Sequence, residues 1–223
     1  PPVGQRQGRV MVDTVLIVAC DMDQTMHTQL LGKGTFGKVF RASHLGVPVA
    51  AKVVRFAAKF IRDSFAVEVN CLALLDHPCI VKMHEYLHTS DEGTILLDLC
   101  GPCLRDVVPS LTVTQKERAF SQMVSAVAYM HTQRIVHRDL KLENILLKYT
   151  GRICIVDFGL SHIFTPNDST LLDTQVGSLS YAAPEVANVE CPFDAYATDV
   201  WSLGIIYIAL MIGKLPFLVA SRA

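Results

Sequence analysis

The sequence predicts an α+β fold with two lobes, in which a small lobe made mainly of β-strands precedes a larger lobe made mainly of helices. Three observations support this prediction. Residues 30–54 alternate strand-forming runs with Gly and Pro turns, as in an antiparallel sheet. Residues 114–117, Thr-Gln-Lys-Glu, read as a capping box that begins a helix. Residues 201–212 are apolar almost all round, which predicts a buried helix rather than a membrane span.

The chain divides into three predicted segments: an N-terminal extension (1–27), the small lobe (28–97) and the larger lobe (98–223). In the small lobe, residues 65–75 have helical periodicity that stops before His77-Pro78. Residues 80–87 and 94–99 read as two further strands. In the larger lobe, the capped helix is expected to have an apolar side formed by Phe120, Met123, Val124, Val127 and Met130.

The composition favours a folded domain that does not bind its partners through bulk charge. The 223 residues have a net charge of -1, with 20 Lys and Arg against 21 Asp and Glu, which argues against a nucleic-acid partner. Seven cysteines without regular spacing indicate reduced thiols, so we expect a cytoplasmic location with access to the nucleus. The apolar run at residues 10–20 is too short to span a bilayer, and Asp13 argues against a signal peptide. We therefore expect no membrane partner.

Residues 100–103, Cys-Gly-Pro-Cys, leave three alternatives open: a thiol–disulfide exchange site, half of a metal site, or a chance spacing within a site of another kind. A thioredoxin-like pair lies where a strand enters a helix of a βαβ unit. Residues 97–106 are instead predicted to connect the two lobes. The position therefore disfavours redox chemistry by this pair.

Residues 31–39 contain the pattern Gly-x-Gly-x-x-Gly-x-Val, with its glycines at Gly32, Gly34 and Gly37. Glycines in this pattern let the backbone approach phosphate groups closely and offer N–H donors to them. A dinucleotide-binding fingerprint has the same spacing but begins a helix, whereas Val39 continues here as a strand. The pattern alone is weak, because glycine turns between strands are common.

Five polar residues extend the pattern toward phosphate chemistry. Lys52 on an apolar strand is either a surface lysine or a cation held over phosphates, with Glu68 of the next helix as its carboxylate partner. Asp139, Asn144 and Asp157 supply an acceptor for a hydroxyl proton and two oxygen ligands suited to Mg²⁺. Each residue alone has a structural explanation, and only their combination indicates a site.

The motifs together resemble the protein kinase family in order and spacing, over residues 30–217. They are the glycine-rich run, Lys52, His-Arg-Asp at 137–139, Asp-Phe-Gly at 157–159 and Ala-Pro-Glu at 183–185. The resemblance implies the bilobal kinase fold, with ATP and Mg²⁺ bound in the cleft between the lobes.

The resemblance also implies a role for each matching residue. Asp139 is expected to be the catalytic base and Lys141 to steady the γ-phosphate, while Asn144 and Asp157 bind the metal ions. Leu97 stands at the gatekeeper position, and the backbone of residues 98–100 is expected to bind the adenine edge. The implied ATP-binding residues are Leu31, Gly32, Lys33, Gly34, Thr35, Phe36, Gly37, Lys38, Val39, Ala50, Lys52, Glu68, Leu97, Asp98, Cys100 and Leu146.

Further resemblances point to a serine/threonine kinase similar to calmodulin-dependent and AMP-activated kinase relatives. Lys141 and Ser178 match the residues of that class, and Glu143 matches an acidic position that favours protein substrates with basic residues near the Ser or Thr. The resemblance implies that an upstream kinase phosphorylates Thr174, with Ser169 and Thr170 as alternatives.

The chain ends six residues after Phe217, where the family usually continues with further helices and an arginine that pairs with Glu185. We therefore expect an incomplete larger lobe. Two functions stay open: an active Ser/Thr protein kinase, and a catalytically weak, truncated or pseudokinase-like binding module.

Overall fold

A computed structural model describes residues 29–34, 37–188 and 192–217. The expected N-terminal extension, with its apolar run at 10–20, lies outside the described residues, as do Thr35 and Phe36 of the glycine-rich run.

The small lobe contains a five-stranded antiparallel sheet, as the sequence predicts. Its strands are β1 (Gln29–Lys33), β2 (Lys38–His44), β3 (Val47–Arg55), β4 (Met83–His88) and β5 (Glu92–Asp98). Their spatial order is β1-β2-β3-β5-β4, so β3 and β5 are neighbours in the sheet although a helix and β4 separate them in sequence. This arrangement places Ala50 of β3 opposite Leu97 of β5.

Helix α1 (Lys59–Leu74) crosses the small lobe between β3 and β4. It begins six residues earlier than the predicted start at residue 65, because its first turn is mostly exposed, with Phe60 63% exposed and a Lys59–Asp63 ion pair on the surface. The predicted strand at 80–87 is also shifted. Ile80 does not join the sheet but forms a parallel bridge to Ile155 of the larger lobe, so β4 begins only at Met83.

The larger lobe is mainly helical, as predicted. Its elements are α2 (Leu104–Val107), α3 (Val113–Thr132), β6 (Ile135–Val136), β7 (Ile145–Leu147), β8 (Ile153–Ile155), β9 (His162–Ile163), β10 (Leu171–Leu172), α4 (Pro184–Asn188), β11 (Phe193–Asp194) and α5 (Ala195–Ile212). Helices α3 and α5 pack on each other, and both contact β6. Short strand pairs β6–β9, β7–β8 and β10–β11 hold the intervening loops.

Two details of helix α3 differ from prediction. The capping box is present, but its N-cap is Thr112 and its partner Gln115, two residues before the predicted box at 114–117. Met123, Val127 and Met130 are buried as expected, whereas Val124 is 42% exposed. The buried side of the helix is completed by small alanines, which hydrophobicity alone did not single out.

Helix α5 is the one helix of the described residues that is long and apolar enough to cross a membrane, and half of it is buried inside the molecule. Its buried side includes Asp199, Ile206 and Leu210, which lie in or beside the main core. The predicted burial of residues 201–212 holds for one side of the helix only, because Tyr207 is 42% and Ile212 is 64% exposed. One face of α5 is therefore a core surface and the other an exposed apolar surface.

Candidate active site

The glycine-rich turn joins β1 to β2 at the edge of the sheet. The backbone N–H of Gly34 donates to the carbonyl of Gly37 at 2.9 Å, which closes the turn. A Cβ atom at Gly37 would lie 2.2 Å from the carbonyl oxygen of Val53, so only glycine fits there. Gly32 and Gly34 instead have open space on the side where a Cβ would project. Their backbone is therefore accessible to a phosphate group.

The predicted adenine-binding side chains come together on one apolar surface. Ala50 and Leu97 are buried in the main core, and Val39 and Leu146 pack against the same core from the two lobes. Leu31 is 45% exposed at the outer end of β1. Lys33 and Lys38 pair across the β1–β2 hairpin with exposed side chains, so their expected contribution is to charge rather than to packing.

The connection between the lobes begins at the end of β5. The N–H of Asp98 donates to the carbonyl of Lys82 at 3.0 Å, and the N–H of Gly101 donates to the carbonyl of Leu147 at 2.7 Å. The Asp98 carboxylate also accepts from the Lys148 ammonium at 2.9 Å. The first bond holds the start of the predicted hinge, residues 98–100, to the segment before β4, and the other two attach the connection to the end of β7 and the residue after it.

An ion cluster joins the two lobes in the cleft. The Lys52 ammonium of β3 donates to both carboxylate oxygens of Glu68, at 2.9 and 2.6 Å. It also donates to Asp157 Oδ1 at 2.6 Å, across 105 residues of sequence. Glu68 is 2% exposed, so this carboxylate depends on Lys52 for its charge balance. The predicted pairing of Lys52 with Glu68 is thus present, and Asp157 shares the same cation.

Burial and charge shift the pKa values of all three members of the cluster. The two carboxylates raise the pKa of Lys52 against the effect of its burial, so the lysine is cationic. Burial tends to raise the pKa of Asp157, but the Lys52 charge outweighs it and lowers that pKa. Burial raises the pKa of Glu68 by more than the Lys52 charge lowers it, and the Asp157 carboxylate adds to the increase. One cation therefore balances a buried and a partly exposed carboxylate incompletely.

The segment around Asp157 is held by contacts with both lobes. Phe158 is fully buried against the His137 ring, with ring centroids 4.9 Å apart. The Ser64 hydroxyl of α1 donates to the carbonyl of Gly159 at 2.8 Å. Asp157 has a φ of 68°, a left-handed conformation that is uncommon for a residue with a side chain. These contacts hold the backbone in that conformation, which directs the carboxylate toward Lys52.

The predicted catalytic residues form a second cluster within the larger lobe. The Lys141 ammonium donates to Asp139 Oδ2 at 2.6 Å, and the Asn144 amide donates to the same oxygen at 3.1 Å. The Ser178 hydroxyl donates to Asp139 Oδ1 at 2.9 Å and accepts from Lys141 at 2.8 Å. A Cβ at Gly177 would lie 2.3 Å from the carbonyl oxygen of Arg138, so glycine is needed to bring Ser178 this close.

The oxygen atoms around this cluster fit a hard cation. The Asn144 side-chain nitrogen is engaged with Asp139, which leaves the amide oxygen as the ligand, and Asp157 supplies a carboxylate. Amide and carboxylate oxygens are ligands that Mg²⁺ accepts, usually with substrate phosphates completing its shell. No cluster of three or more His, Cys, Asp or Glu side chains within the described part of the chain could hold a metal ion. The predicted pair therefore suits an ion that arrives with phosphates.

Asp199 is a supporting residue that the sequence reasoning missed. Its carboxylate accepts from the backbone N–H groups of His137 and Arg138, at 2.8 and 2.9 Å, and contacts His131 Nε2 at 3.0 Å. The residue is 1% exposed, and it fixes the backbone directly before Asp139. Arg138 itself has a φ of 67°, so this segment also holds an uncommon conformation. The sequence signal that could have identified Asp199 was its position as a single aspartate in an otherwise apolar helix.

The residues predicted for regulation and substrate preference lie on the exposed side of the same loops. Thr174 is exposed, and the Arg138 guanidinium donates to its carbonyl oxygen at 2.9 Å. Glu143 contacts Arg105 at 3.3 Å and accepts from the Tyr181 hydroxyl at 3.3 Å. Phosphorylation of Thr174 stays a prediction. The Arg138 guanidinium already lies beside this residue.

Cys100 and Cys103 lie in the lobe connection as predicted, and they face different partners. The Cys103 thiol donates to Asp106 Oδ2 at 3.2 Å at the start of α2. Cys100 is also partly exposed, and the Cys154 thiol of β8 lowers the pKa of Cys100 against the effect of burial. Both are free thiols, and the spacing of two residues does not bring their sulfurs into one site.

Comparisons with known proteins agree with this geometry. The protein kinase domain matches residues 26–222. The carbon catabolite-derepressing protein kinase of Candida tropicalis is 38% identical over 195 residues, which are 84% of this chain and 31% of that protein. The sucrose non-fermenting protein kinase 1 of Fusarium virguliforme is 40% identical over 195 residues, 84% of this chain and 28% of that protein.

A vertebrate relative is similar to the same degree. The NUAK family SNF1-like kinase 2 of Pongo abelii is 39% identical over 197 residues, 85% of this chain and 31% of that protein. The chain spans about a third of the length of these curated relatives. The family match covers nearly the whole chain, the small-lobe sheet and helical larger lobe have the expected arrangement, and the motif residues converge in one cleft. The chain therefore belongs to the protein kinase family.

Proposed function

We propose that the chain transfers the γ-phosphate of ATP to serine and threonine hydroxyls of protein substrates. The observation that supports it most strongly is the Lys52 ammonium, which joins Glu68 of the small lobe to Asp157 of the larger lobe. In phosphoryl transfer an enzyme contributes mainly positioning and charge, and this cation lies where the two lobes would hold a nucleotide between them.

Asp139 is the acceptor for the substrate hydroxyl in this proposal. Its two oxygens already accept hydrogen bonds from Lys141, Asn144 and Ser178, which fix the orientation of the carboxylate. A carboxylate offers about four acceptor sites, and the backbone N–H of Ser178 occupies the fourth at 2.9 Å from Oδ1, so a substrate hydroxyl takes the place of one of these donors. Lys141 lies beside Asp139 and contributes the positive charge that the transferred phosphoryl group needs.

Lys52 and the glycine-rich turn are proposed to bind the other phosphates. An ammonium has three N–H donors, and Lys52 directs them at Glu68 and Asp157. We infer that the α- and β-phosphates replace Asp157 as its second partner, while Glu68 keeps the side chain in place. Asp157 and Asn144 are then available to hold Mg²⁺, which supplies neutralisation of phosphate charge when bound.

The substrate preference follows from the exposed face of the catalytic loop. Ser178 orders the loop that follows the Thr174 segment, and its hydroxyl bonds both Asp139 and Lys141. Glu143 lies close by and already contacts Arg105, so a basic substrate residue can compete for the same carboxylate. We propose serine and threonine targets near basic residues, and activation of the chain by a separate kinase that modifies Thr174.

Matched peptides test this proposal. Three peptides that differ only in carrying Ser, Thr or Tyr as acceptor are incubated with the chain, Mg²⁺ and ATP, and phosphate incorporation is measured. We expect transfer to Ser and Thr and little to Tyr, with further loss when flanking arginines are replaced by alanine. ATP binding without transfer to any peptide would instead support the alternative of a binding module.

A further inference from the structure

Helix α1 contacts the segment of Asp157 at a second point besides the Lys52 ion cluster. The Ser64 hydroxyl donates to the carbonyl oxygen of Gly159 at 2.8 Å, across 95 residues of sequence. Ser64 is 8% exposed, so a carbonyl that lost this donor would have little access to water as a replacement. The bond is neutral, and it joins the small lobe to the larger lobe without involving Lys52.

The same face of α1 carries both attachments. Ser64 and Glu68 are four residues apart in the helix, so their side chains lie one turn apart on one face. Glu68 binds Lys52, which in turn binds Asp157. A Cβ atom at Gly159 would lie 2.5 Å from Ser64 Oγ and 3.8 Å from Glu68 Oε2. The absence of a side chain at Gly159 therefore allows this segment to approach α1 closely.

Asp157 lies between two anchored stretches of backbone. On its N-terminal side, the N–H of Val156 donates to the carbonyl of Asn144 at 3.0 Å. On its C-terminal side, Ser64 holds the carbonyl of Gly159. The left-handed φ of Asp157 persists only where the surrounding structure determines it. The Ser64 bond is thus one of the contacts that set the direction of the Asp157 carboxylate.

The two attachments respond differently to a bound nucleotide. In the proposed function, the α- and β-phosphates replace Asp157 as the second partner of Lys52, which removes the charged link between the lobes. The bond from Ser64 to Gly159 contains no charged group and does not take part in this exchange. It therefore keeps the Asp157 segment against α1 when the carboxylate becomes available to Mg²⁺.

We propose that Ser64 is a positioning residue for the metal site, whose hydroxyl holds Gly159 so that Asp157 keeps the direction in which it binds the Mg²⁺ that arrives with ATP. Ser64 contacts neither the nucleotide nor the metal ion in this role and acts through the backbone. The role rests on the proposed function, because it concerns ATP and Mg²⁺, whereas the contact between Ser64 and Gly159 does not.

Nucleotide binding with and without Mg²⁺ tests this role without relying on phosphate transfer. The affinity for a non-hydrolysable ATP analogue is measured by titration calorimetry in Mg²⁺ and in a chelator, for the parent chain and for Ser64→Ala. We expect Ser64→Ala to reduce the gain in affinity that Mg²⁺ gives by about 3–10-fold, the value of one hydrogen bond. The affinity in chelator should stay unchanged. An undiminished gain in Ser64→Ala would overturn the proposal.

Two further variants separate this role from a general loss of stability. Ser64→Thr keeps a hydroxyl at the same position and should keep the Mg²⁺ gain of the parent chain. Ser202 of α5 is the matched control, because it is also 8% exposed and its hydroxyl donates to backbone carbonyls, at 3.0 Å to Tyr181 and 3.1 Å to Thr198. Ser202→Ala should lower the thermal unfolding midpoint and leave the Mg²⁺ gain unchanged. An equal loss of that gain in both alanine variants would overturn the assignment to Ser64.

A double-mutant cycle tests the contact itself, independently of ATP. Gly159→Ala places a methyl group against Ser64 Oγ, so we expect it to lower the unfolding midpoint. The loss should be smaller in Ser64→Ala, because the oxygen that the methyl group meets is then absent. Additive losses would show that the two residues do not interact and would overturn the proposal. No binding of the ATP analogue by the parent chain would contradict the proposed function, and this cycle would still decide whether the contact exists.

Discussion

The Lys52 cluster and the Asp139 cluster both hold a lysine 2.6 Å from an aspartate, but they depend on the fold in different ways. Lys141 and Asp139 are two residues apart in one loop. Lys52 and Asp157 come from different lobes. The first pair is set by local backbone conformation, whereas the second exists only if both lobes fold and meet. The catalytic loop is therefore organised in advance, before the two lobes meet. The Lys52 cluster depends instead on how the two lobes are arranged.

The two clusters also differ in how their charge is balanced. Asp139 shares its hydrogen bonds between one cation and two neutral groups, Asn144 and Ser178. Lys52 is the one cation that forms an ion pair with both the buried Glu68 carboxylate and the partly exposed Asp157 carboxylate. Removing one residue from the first cluster therefore changes chemistry more than stability, and removing the cation from the second changes both. The predictions below use this contrast.

The largest effect is expected from Asp139→Asn. The amide keeps an oxygen that can accept from Ser178 but cannot take a substrate proton, so kcat should fall by about 10²–10⁴-fold. Nucleotide affinity and the thermal unfolding midpoint should change little. Steady-state kinetics and thermal unfolding on the same preparation check this prediction. An unfolding midpoint that drops together with kcat would show that the loop is not organised in advance.

Lys52→Met should remove transfer and also destabilise the chain. Leaving the buried Glu68 carboxylate without its cation should cost about 3–5 kcal/mol in the free energy of unfolding, as for other broken buried pairs. Lys59→Met, at an exposed position, is the control. Loss of the i,i+4 pair between Lys59 and Asp63 should lower the free energy of unfolding by about 0.3–0.5 kcal/mol. Denaturant unfolding of both variants measures the difference, and equal losses would contradict the account of the cluster.

The pH dependence of Lys52→Met should be steeper than that of the parent chain, in which burial already raises the pKa of Glu68 but Lys52 lowers that of Asp157. In the parent, Lys52 lowers the pKa of Asp157, so that contribution to stability is present above the unfolded pKa and is lost as the pH falls below about 4. Without Lys52, burial raises the pKa of both carboxylates, so the folded state gains stability as the pH falls from 7.5 toward 5. Unfolding curves across this range should show the variant approaching the parent. A constant gap would refute the prediction.

Thr174→Ala should lower activity strongly in the chain treated with an upstream kinase, with ATP affinity little changed. A phosphate on Thr174 would accept charge-assisted hydrogen bonds from Arg138, which already contacts the Thr174 carbonyl, and these would order the loop that carries Ser178. Ser169→Ala and Thr170→Ala are the controls and should have little effect. Full activity of Thr174→Ala after the same treatment would exclude this residue as the activating site.

The smallest expected effect is that of Asp199→Asn, which disturbs only the support of the catalytic loop. The amide keeps one acceptor oxygen, so only one of the N–H groups of His137 and Arg138 loses its acceptor, at a cost of about 1.5–3 kcal/mol in the free energy of unfolding. Activity should fall together with stability, unlike in Asp139→Asn. Asp63→Asn, at an exposed site, is the control and should change stability by less than about 1 kcal/mol. Parallel unfolding and kinetic measurements separate the two variants.

Short-range features of the site were predictable from the sequence, because a few residues of spacing determine which atoms meet. The positions of Asp139, Lys141 and Asn144 in one loop are an example, and the pairing of Lys52 with Glu68 followed from the family resemblance. The capping box was misplaced because Thr112-x-x-Gln115 and Thr114-x-x-Glu117 both fit the same pattern, and only the structure decides between them.

Contacts that span the chain were not predictable from local patterns. Asp199 lies 62 residues from His137, whose backbone N–H donates to it. Ile80 was misassigned because it bonds to the other lobe rather than to the sheet. In both cases a tertiary partner, rather than local preference, decides the conformation. The start of α1 was missed for a local reason, because its first turn is mostly exposed and Phe60 itself is 63% exposed.

Single-turnover transfer is the most direct test of the claim that the two clusters form one working site. The chain, in excess over γ-labelled ATP and with Mg²⁺ present, is mixed with a serine peptide flanked by arginines, and nucleotide binding is measured on the same sample. We predict that ATP binds and that label appears in the peptide at a rate abolished by Asp139→Asn and by Lys52→Met. Binding of ATP without transfer by the parent chain, or undiminished transfer by Asp139→Asn, would contradict the account.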